Sequence, residues 1–306
     1  MDPVSQGVLG GAAALGMSKS KHLPVAIFCG VLSGMAPDLD ALIRSDVDPL
    51  IYLEFHRQFT HSLFFIPIGA LICAGVFYKT IAKRLSFRHT YVYCFLGYAT
   101  HGLLDSCTSY GTQLLWPFSD KRIAWDTISI IDPLFTIPLI VLVVVGGMKT
   151  STVLGKLAML WVLVYLVFGF MQKERVHNFA ENLASSRGHF PDRLTVKPSF
   201  GNLLVWKTIY ETQGKYHVDA VRAGTEFRLF AGQAVLKLDI ERDMPWLDGK
   251  SQQAKDLERF RWFSNDFLAM DEGQTNFVVD MRYSMLPNEV DGLWGIQLSP
   301  EAMQTQ

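Results

Sequence analysis

Three short stretches of this chain carry side chains able to hold a metal ion. Pro37-Asp38-Leu39-Asp40 sets two carboxylates two positions apart. His56-Arg57-Gln58-Phe59-Thr60-His61-Ser62 sets two imidazoles around an arginine, and His101-Gly102-Leu103-Leu104-Asp105 sets an imidazole four residues before a carboxylate. Neutral imidazole and carboxylate suit zinc, and also manganese or iron, while the absence of a nearby thiolate pair argues against a structural zinc site. Six candidates, Asp38, Asp40, His56, His61, His101 and Asp105, exceed what one open tetrahedral zinc needs. One divalent ion, or two sharing a carboxylate, is the expected cofactor.

Each stretch also has an ordinary explanation. An Asp-x-Asp turn can be merely solvated, an interfacial histidine can be merely packed, and a His–Asp pair four apart can satisfy itself. Ionisable groups beside apolar segments are costly, however, and a bland reading does not explain why that cost recurs three times.

The elements that would bring the donors together follow from local chemistry. Four residues of helix advance about 400°, so His101 and Asp105 share one face, with Tyr98 and Thr108 extending the stripe. Pro37 biases Ala36 away from the α region, so the helix from Leu23 is expected to stop there. Both carboxylates then lie just beyond its negative end, where a cation would relieve them. Thr60 is expected to cap the next helix with His61 in its first turn. Five residues on a continuous helix splay two side chains by about 140°, so His56 must lie in the preceding loop.

The composition supports a membrane setting for these clusters. Of 306 residues, 49% are apolar and 19% charged, which excludes a disordered or collagen-like chain. A net charge of -1 provides no global pull toward nucleic acid. Residues 1–172 hold 12 Lys+Arg and 10 Asp+Glu, whereas residues 173–306 hold 16 and 19. The charge-poor part contains the apolar runs Phe59–Tyr78, Thr90–Ser106, Ile128–Gly147 and Thr152–Met171. Two shorter Gly- and Ala-rich runs, Val4–Met17 and Leu23–Ala36, read as tightly packed short helices or a re-entrant pair. The expected fold is an α-helical polytopic membrane domain over 1–172, followed by a small β-rich α+β soluble domain over 173–306.

If the six segments alternate, one side receives Lys19, Lys21, Lys79, Lys83, Arg84, Arg88, Lys149 and Lys156 and no acidic residue. That side is expected to be cytoplasmic, placing the three clusters and the soluble domain outside. Met1-Asp2-Pro3 lacks the basic start of a signal peptide, so cleavage is not expected. Cys29, Cys73, Cys94 and Cys107 lie in or beside apolar segments and read as small core residues rather than a disulfide framework. Asp126 and Asp132 flank the start of the fifth apolar segment, where negative charge suits a helix start, and Asp132-Pro133 fits a start signal. Trp116, Phe118 and Trp125 suit an interfacial aromatic belt.

Beyond Met171 an amphipathic helix is expected to about Ser186, ended by Gly188 and Pro191. Strand character follows at Leu203–Tyr210, Tyr216–Val221, Phe227–Phe230, Ala234–Ile240, Phe277–Tyr283 and Leu293–Leu298, and helical spacing at Gln252–Phe263. No metal cluster, phosphate loop or nucleophile elbow is recognisable there. This domain is expected either to cover or select substrate at the membrane surface or to be structural.

The ordered strings PDLD, HRQFTHS, HGLLDSCTSYGTQLLWPF and IIDPLF together resemble the YdjM-type, LexA-associated family of inner-membrane metal-dependent hydrolases, across essentially the whole membrane domain. The resemblance implies a multi-pass protein of a bacterial inner membrane with Asp38, Asp40, His56, His61, His101 and Asp105 as metal ligands. Asp132 is then a further acidic position with a candidate catalytic role. A remoter likeness to zinc-dependent phospholipases C implies attack by metal-activated water on a phosphodiester, with Arg57 as the candidate catalytic group that steadies phosphoryl oxygens. A snorkelling interfacial arginine is the alternative for Arg57. The function so implied is hydrolysis of an ester or phosphoester of a lipid or another envelope molecule, with membrane lipids as partners and no nucleic acid. A cation- or proton-coupled transporter, and a non-enzymatic envelope protein with a structural metal site, are the alternatives.

Overall fold

The computed structural model describes residues 1–83 and 85–301; Arg84, counted above among the basic residues, lies outside the described residues. The chain divides into two units. One comprises Met1–Val47, Phe55–Met171 and Phe200–Leu203; the other comprises Asp48–Glu54, Gln172–Ser199 and the chain from Leu204 onward.

The first unit is helical. Helix α1 (Pro3–Met17) starts on a capping Asp2, whose carboxylate accepts the Ser5 N–H at 3.0 Å, with Pro3 at the first helical position. Helix α2 (Leu23–Met35) packs closely on it. A Cβ added to Gly10 would lie 2.3 Å from the Gly30 carbonyl oxygen, and one on Gly30 would lie 2.4 Å from that of Gly10. Only glycine lets the two backbones approach so far. Next along the chain are α3 (Ile51–Phe55), whose first four residues belong to the second unit, then α4 (Ile66–Thr80), α5 (Phe87–Ser106), α6 (Pro133–Met148) and α7 (Thr152–Ser186), which belongs to the second unit from Gln172 onward.

Leu23–Leu42 and Thr152–Ser186 are long and apolar enough to cross a membrane. Ile51–His61 with Ile66–Thr80, bent by 84°, would make a third span, and Pro133–Met148 is a shorter apolar helix. Leu71 and Ile72 on α4, Val141 and Val144 on α6, and Leu160 and Leu163 on α7 are all exposed. Rows of exposed large apolar side chains suit contact with lipid rather than water.

Two sequence expectations are corrected. Ala36 is α-helical, with φ -62° and ψ -36°, and α2 passes directly into a 3₁₀ helix over Ala36–Leu42. Pro37 is accommodated because it falls in the first turn of that tighter helix, where its missing N–H is not needed. The α-helix does end at Met35, and Asp38 and Asp40 lie just beyond it as expected, but on a 3₁₀ helix that continues the turn. Thr60 does not cap α4. It sits in a 3₁₀ turn over Phe59–His61, its hydroxyl donates to Asp40 at 2.6 Å, and α4 begins only at Ile66, with Pro67 in its first turn. His56 lies in the turn after α3, as the spacing required.

The second unit carries two antiparallel sheets. Strands β1 (Arg193–Pro198), β2 (Val205–Thr212), β3 (Lys215–Ala223) and β4 (Phe227–Phe230) pair in sequence order, and β5 (Ala234–Leu236) adds to β3. Thr212 pairs with Lys215 across Gln213 and Gly214, both at positive φ, giving the two-residue turn that suits strand twist. After α8 (Ile240–Asp243) and α9 (Gln252–Phe263), strands β6 (Leu268–Met270), β7 (Phe277–Asp280) and β8 (Gly295–Gln297) form the smaller sheet. Ile209, Tyr216, Val218, Phe267 and Val279 pack into one buried cluster. Strands β1 and β6 were not expected from the sequence. The first is charged at Arg193 and Lys197 and ends on Pro198, and the second has three residues, so neither shows a period-two pattern of useful length.

Candidate metal centre

Asp38 and Asp40 arrive on the 3₁₀ turn after α2, His56 and Arg57 on the turn after α3, and His61 at the end of the next 3₁₀ turn. His101 and Asp105 project from the last turns of α5. Helix α5 reaches the His61 backbone because position 102 is glycine. A Cβ there would lie 2.2 Å from the His61 carbonyl oxygen.

Two groups of donors result. Asp38, His61, His101 and Asp105 offer ligand atoms all within 4.8 Å of one another, and so do Asp38, Asp40 and His56. Asp38 belongs to both. In the first group the Nε2 atoms of His61 and His101 are 2.9 Å apart. Asp38 Oδ1 lies 3.5 Å from the former and 3.3 Å from the latter, and Asp105 Oδ2 lies 3.4 Å from His61 Nε2.

The other ring nitrogens settle the tautomers. His101 Nδ1 faces the Gly34 carbonyl oxygen at 2.5 Å, and a carbonyl can only accept, so Nδ1 carries the hydrogen. His61 Nδ1 lies 3.1 Å from Asp40 Oδ2 and 3.0 Å from Thr60 Oγ1, whose own hydrogen goes to Asp40. His61 must therefore also donate from Nδ1. With both rings neutral, as metal ligation requires, each would turn an Nε2 lone pair toward the other, between two carboxylates. A cation between these four donor atoms would satisfy them together, and a ring whose far nitrogen donates to a carbonyl or carboxylate is the arrangement that orients a metal ligand. The residues fit a divalent ion.

Burial separates the groups. His61, His101 and Asp105 are fully buried, whereas the side chains of Asp38 and His56 retain 23% and 19% exposure. The first group supplies four protein donors, enough to fill a tetrahedron; the second supplies three and borders solvent, the pattern of an open site.

Arg57 is not a snorkelling side chain. It is 5% exposed and adopts φ 68°. Its Nε lies 3.0 Å from Asp105 Oδ2, its Nη1 donates to Thr108 at 3.1 Å, and its backbone N–H donates to Asp40. Asp132 is outside both donor groups among the described residues. It caps α6 by accepting from Leu134 and Phe135, and it accepts the Tyr165 hydroxyl at 2.7 Å. The capping explanation accounts for it, and the candidate catalytic role given to Asp132 has no support in this geometry.

Several partners escaped sequence reasoning. Gln6 of α1 donates to Asp105 at 2.8 Å, and the Met1 amino group also contacts that carboxylate. Tyr98, placed on the His101 face by spacing, donates to the Thr60 carbonyl at 3.0 Å. Gln6 had a readable signal, being a buried amide in a helix of mostly glycine, alanine and leucine. The Gly34 carbonyl had none, because it is backbone.

Apolar helices whose ends gather histidines and aspartates into a buried cluster define a helical membrane protein with a candidate metal centre. The chain belongs to the YdjM inner membrane protein family, which it matches over residues 1–176. It is 28% identical over 177 residues to the uncharacterized protein YfhP of Bacillus subtilis (strain 168), covering 55% of this chain and 54% of that one. It is 32% identical over 124 residues to the inner membrane protein YbcI of Escherichia coli (strain K12), covering 38% of this chain and 68% of that protein. The chain thus spans about half the length of YfhP and about two thirds of YbcI. No solved structure matches it.

Proposed function

We propose that this chain is a membrane-embedded, metal-dependent hydrolase acting on an ester or phosphoester of a lipid or envelope molecule. The observation that carries the reading is the pair of facing Nε2 atoms between Asp38 and Asp105, with Asp38 shared by a second, more open donor group. Zinc is the first candidate, with manganese or iron suiting the same donors; when bound, such an ion supplies Lewis acidity and lowers the pKa of water.

The chain's own residues have distinct tasks. His61, His101, Asp105 and Asp38 would hold the enclosed ion, and Asp38, Asp40 and His56 the solvent-facing one. Asp40 and the Gly34 carbonyl orient the two imidazoles. Arg57 keeps a permanent positive charge next to Asp105, in a buried setting where a guanidinium binds phosphoryl oxygens strongly. The basic turns holding Lys19, Lys21, Lys79, Lys83 and Lys149 support a cytoplasmic assignment for the opposite helix ends, so the metal centre and the C-terminal domain would face outward.

A second reading has its own observation. Four protein donors, three of them fully buried, could complete an ion's coordination and merely brace the helix ends. Turnover separates the two. Zinc-loaded protein in detergent should hydrolyse a lipid-like phosphodiester or carboxylic ester, and Arg57→Gln should keep its metal while losing about 100-fold in rate. Bound metal with no turnover on any ester would leave only the brace.

A further inference from the structure

We propose that Lys207 and Ser284 form a nucleophilic dyad, a further hydrolytic centre that takes carboxylic esters with an apolar acyl group. It stands apart from the metal-centre reading, because every residue in it lies in the second unit and its chemistry requires no ion.

Lys207 is on β2 and Ser284 lies 77 residues later, beyond β7, so no local motif connects them. Lysine is rarely buried without a carboxylate partner. The buried Lys207 ammonium has two polar contacts among the described residues, the Ser284 hydroxyl at 2.6 Å and the Glu289 carbonyl at 2.8 Å, and neither is an anion. The nearby acids do not replace one. Asp280 is taken by Arg282, whose Nη2 and Nε donate to it at 2.6 and 2.9 Å, and Glu289 and Asp291 act on Lys207 only through space. Lys197, directly across β1 from Lys207, is the cation on the same face, its ammonium 4.6 Å from the centre of the Tyr283 ring. Like charges opposite each other add to the cost of keeping Lys207 protonated.

The two contacts differ in what they allow when Lys207 gives up a proton. The Glu289 carbonyl can only accept, so it keeps an N–H, whereas the Ser284 hydroxyl can reverse. That hydroxyl donates to the Leu286 carbonyl at 2.6 Å; beside a neutral amine it can donate to the Nζ lone pair instead. A serine next to its own base is an activated nucleophile. Ser284 Oγ would then bond to the carbonyl carbon of an ester while its proton passes to Nζ. The bond to the leaving alcohol breaks, and the alcohol oxygen takes that proton. Water attacks the acyl-serine, gives a proton to Nζ, and the serine oxygen recovers it as the acid departs. Ser284 keeps 9% exposure, and the next two residues, Met285 and Leu286, are exposed. Apolar side chains beside the hydroxyl suit an apolar acyl chain.

The test uses full-length protein in detergent with excess EDTA, a fluorophosphonate probe located by peptide mass spectrometry, and p-nitrophenyl butyrate as the ester. The probe should attach to Ser284, and hydrolysis should rise with pH through an inflection near 7, where Lys207 becomes neutral. Ser284→Ala, which removes one oxygen, should abolish both. Lys207→Met, with its β-sheet circular dichroism unchanged, should slow both by about 100-fold or more and remove the inflection. A folded wild type left unlabelled at Ser284 from about pH 6 to 9 would overturn the proposal. So would labelling of Ser284 at the wild-type rate in Lys207→Met, or ester hydrolysis unchanged in Ser284→Ala. Hydrolysis that appears only when zinc is restored would overturn it as well, and would assign the activity to the metal centre.

Discussion

The carbonyl oxygen of His61 lies where a side chain at Gly102 would begin, 2.2 Å from the position of an added Cβ. Helix α5 thus brings His101 and Asp105 to His61 by running its bare backbone over the turn that holds it. In an ordinary helix, Gly→Ala stabilises by about 0.5–1 kcal/mol because alanine loses less conformational freedom. Here the sign should reverse.

Gly102→Ala is expected to destabilise by about 1–3 kcal/mol through overpacking and to lower metal affinity with it. Gly75 of α4 has open space within 4 Å and provides the control, since Gly75→Ala should be neutral or slightly stabilising. Thermal unfolding in detergent distinguishes the two. Equal behaviour of both variants would mean that the close approach at Gly102 does not exist.

Asp40 orients His61 through Nδ1 and also contributes to the second donor group. Asp40→Ala should therefore lower the affinity of both ions, that at His61 and His101 by about 10- to 100-fold, even though Asp40 is not in the first group. Competition against a zinc chelator measures this. An unchanged first affinity would show that Asp40 does not set the His61 ring.

Lys207 in the second unit makes a prediction about pH. It is 5% exposed, its ammonium donates to Ser284 at 2.6 Å and to the Glu289 carbonyl at 2.8 Å, and burial pushes its pKa down to about 7 despite the nearby Asp280, Glu289 and Asp291. The unfolded chain keeps the ordinary value of 10.5. Between the two values the unfolded state binds a proton that the folded state lacks, so stability should rise as pH climbs from about 7 to about 10.5. The cost of burying the charge is present in full below that window. The slope from this group is at most ~1.4 kcal/mol per pH unit, and Lys207→Met should remove it. Denaturant unfolding of the full chain at several pH values, followed by the loss of β-sheet circular dichroism, checks both; a wild type and variant with the same slope would contradict it.

The donor residues were readable because ionisable side chains stand out in apolar surroundings, and because a spacing of four places His101 and Asp105 on one face. The path of the backbone between them was less readable. Proline at position 37 indicates a boundary but does not say whether the chain unwinds or merely tightens, and here it tightens into a 3₁₀ turn that carries both aspartates inward. Thr60 has the chemistry of a cap, yet Asp40 competes for its hydroxyl from 20 residues away. The grip of Arg259 on Asp48 and Glu54 spans more than 200 residues of chain and leaves no local pattern. Asp132 shows the reverse case, where Asp-Pro at a helix start was sufficient to identify the cap.

The central claim is that His61 and His101 share one ion. Metal content after zinc equilibration and desalting tests it most directly, comparing wild type with His61→Ala, His101→Ala and the double variant. Each single variant should lose the same tightly held ion, and the double variant should lose no more. Retention of that ion by either single variant, or its absence from a folded wild type, would show that the two imidazoles do not share an ion.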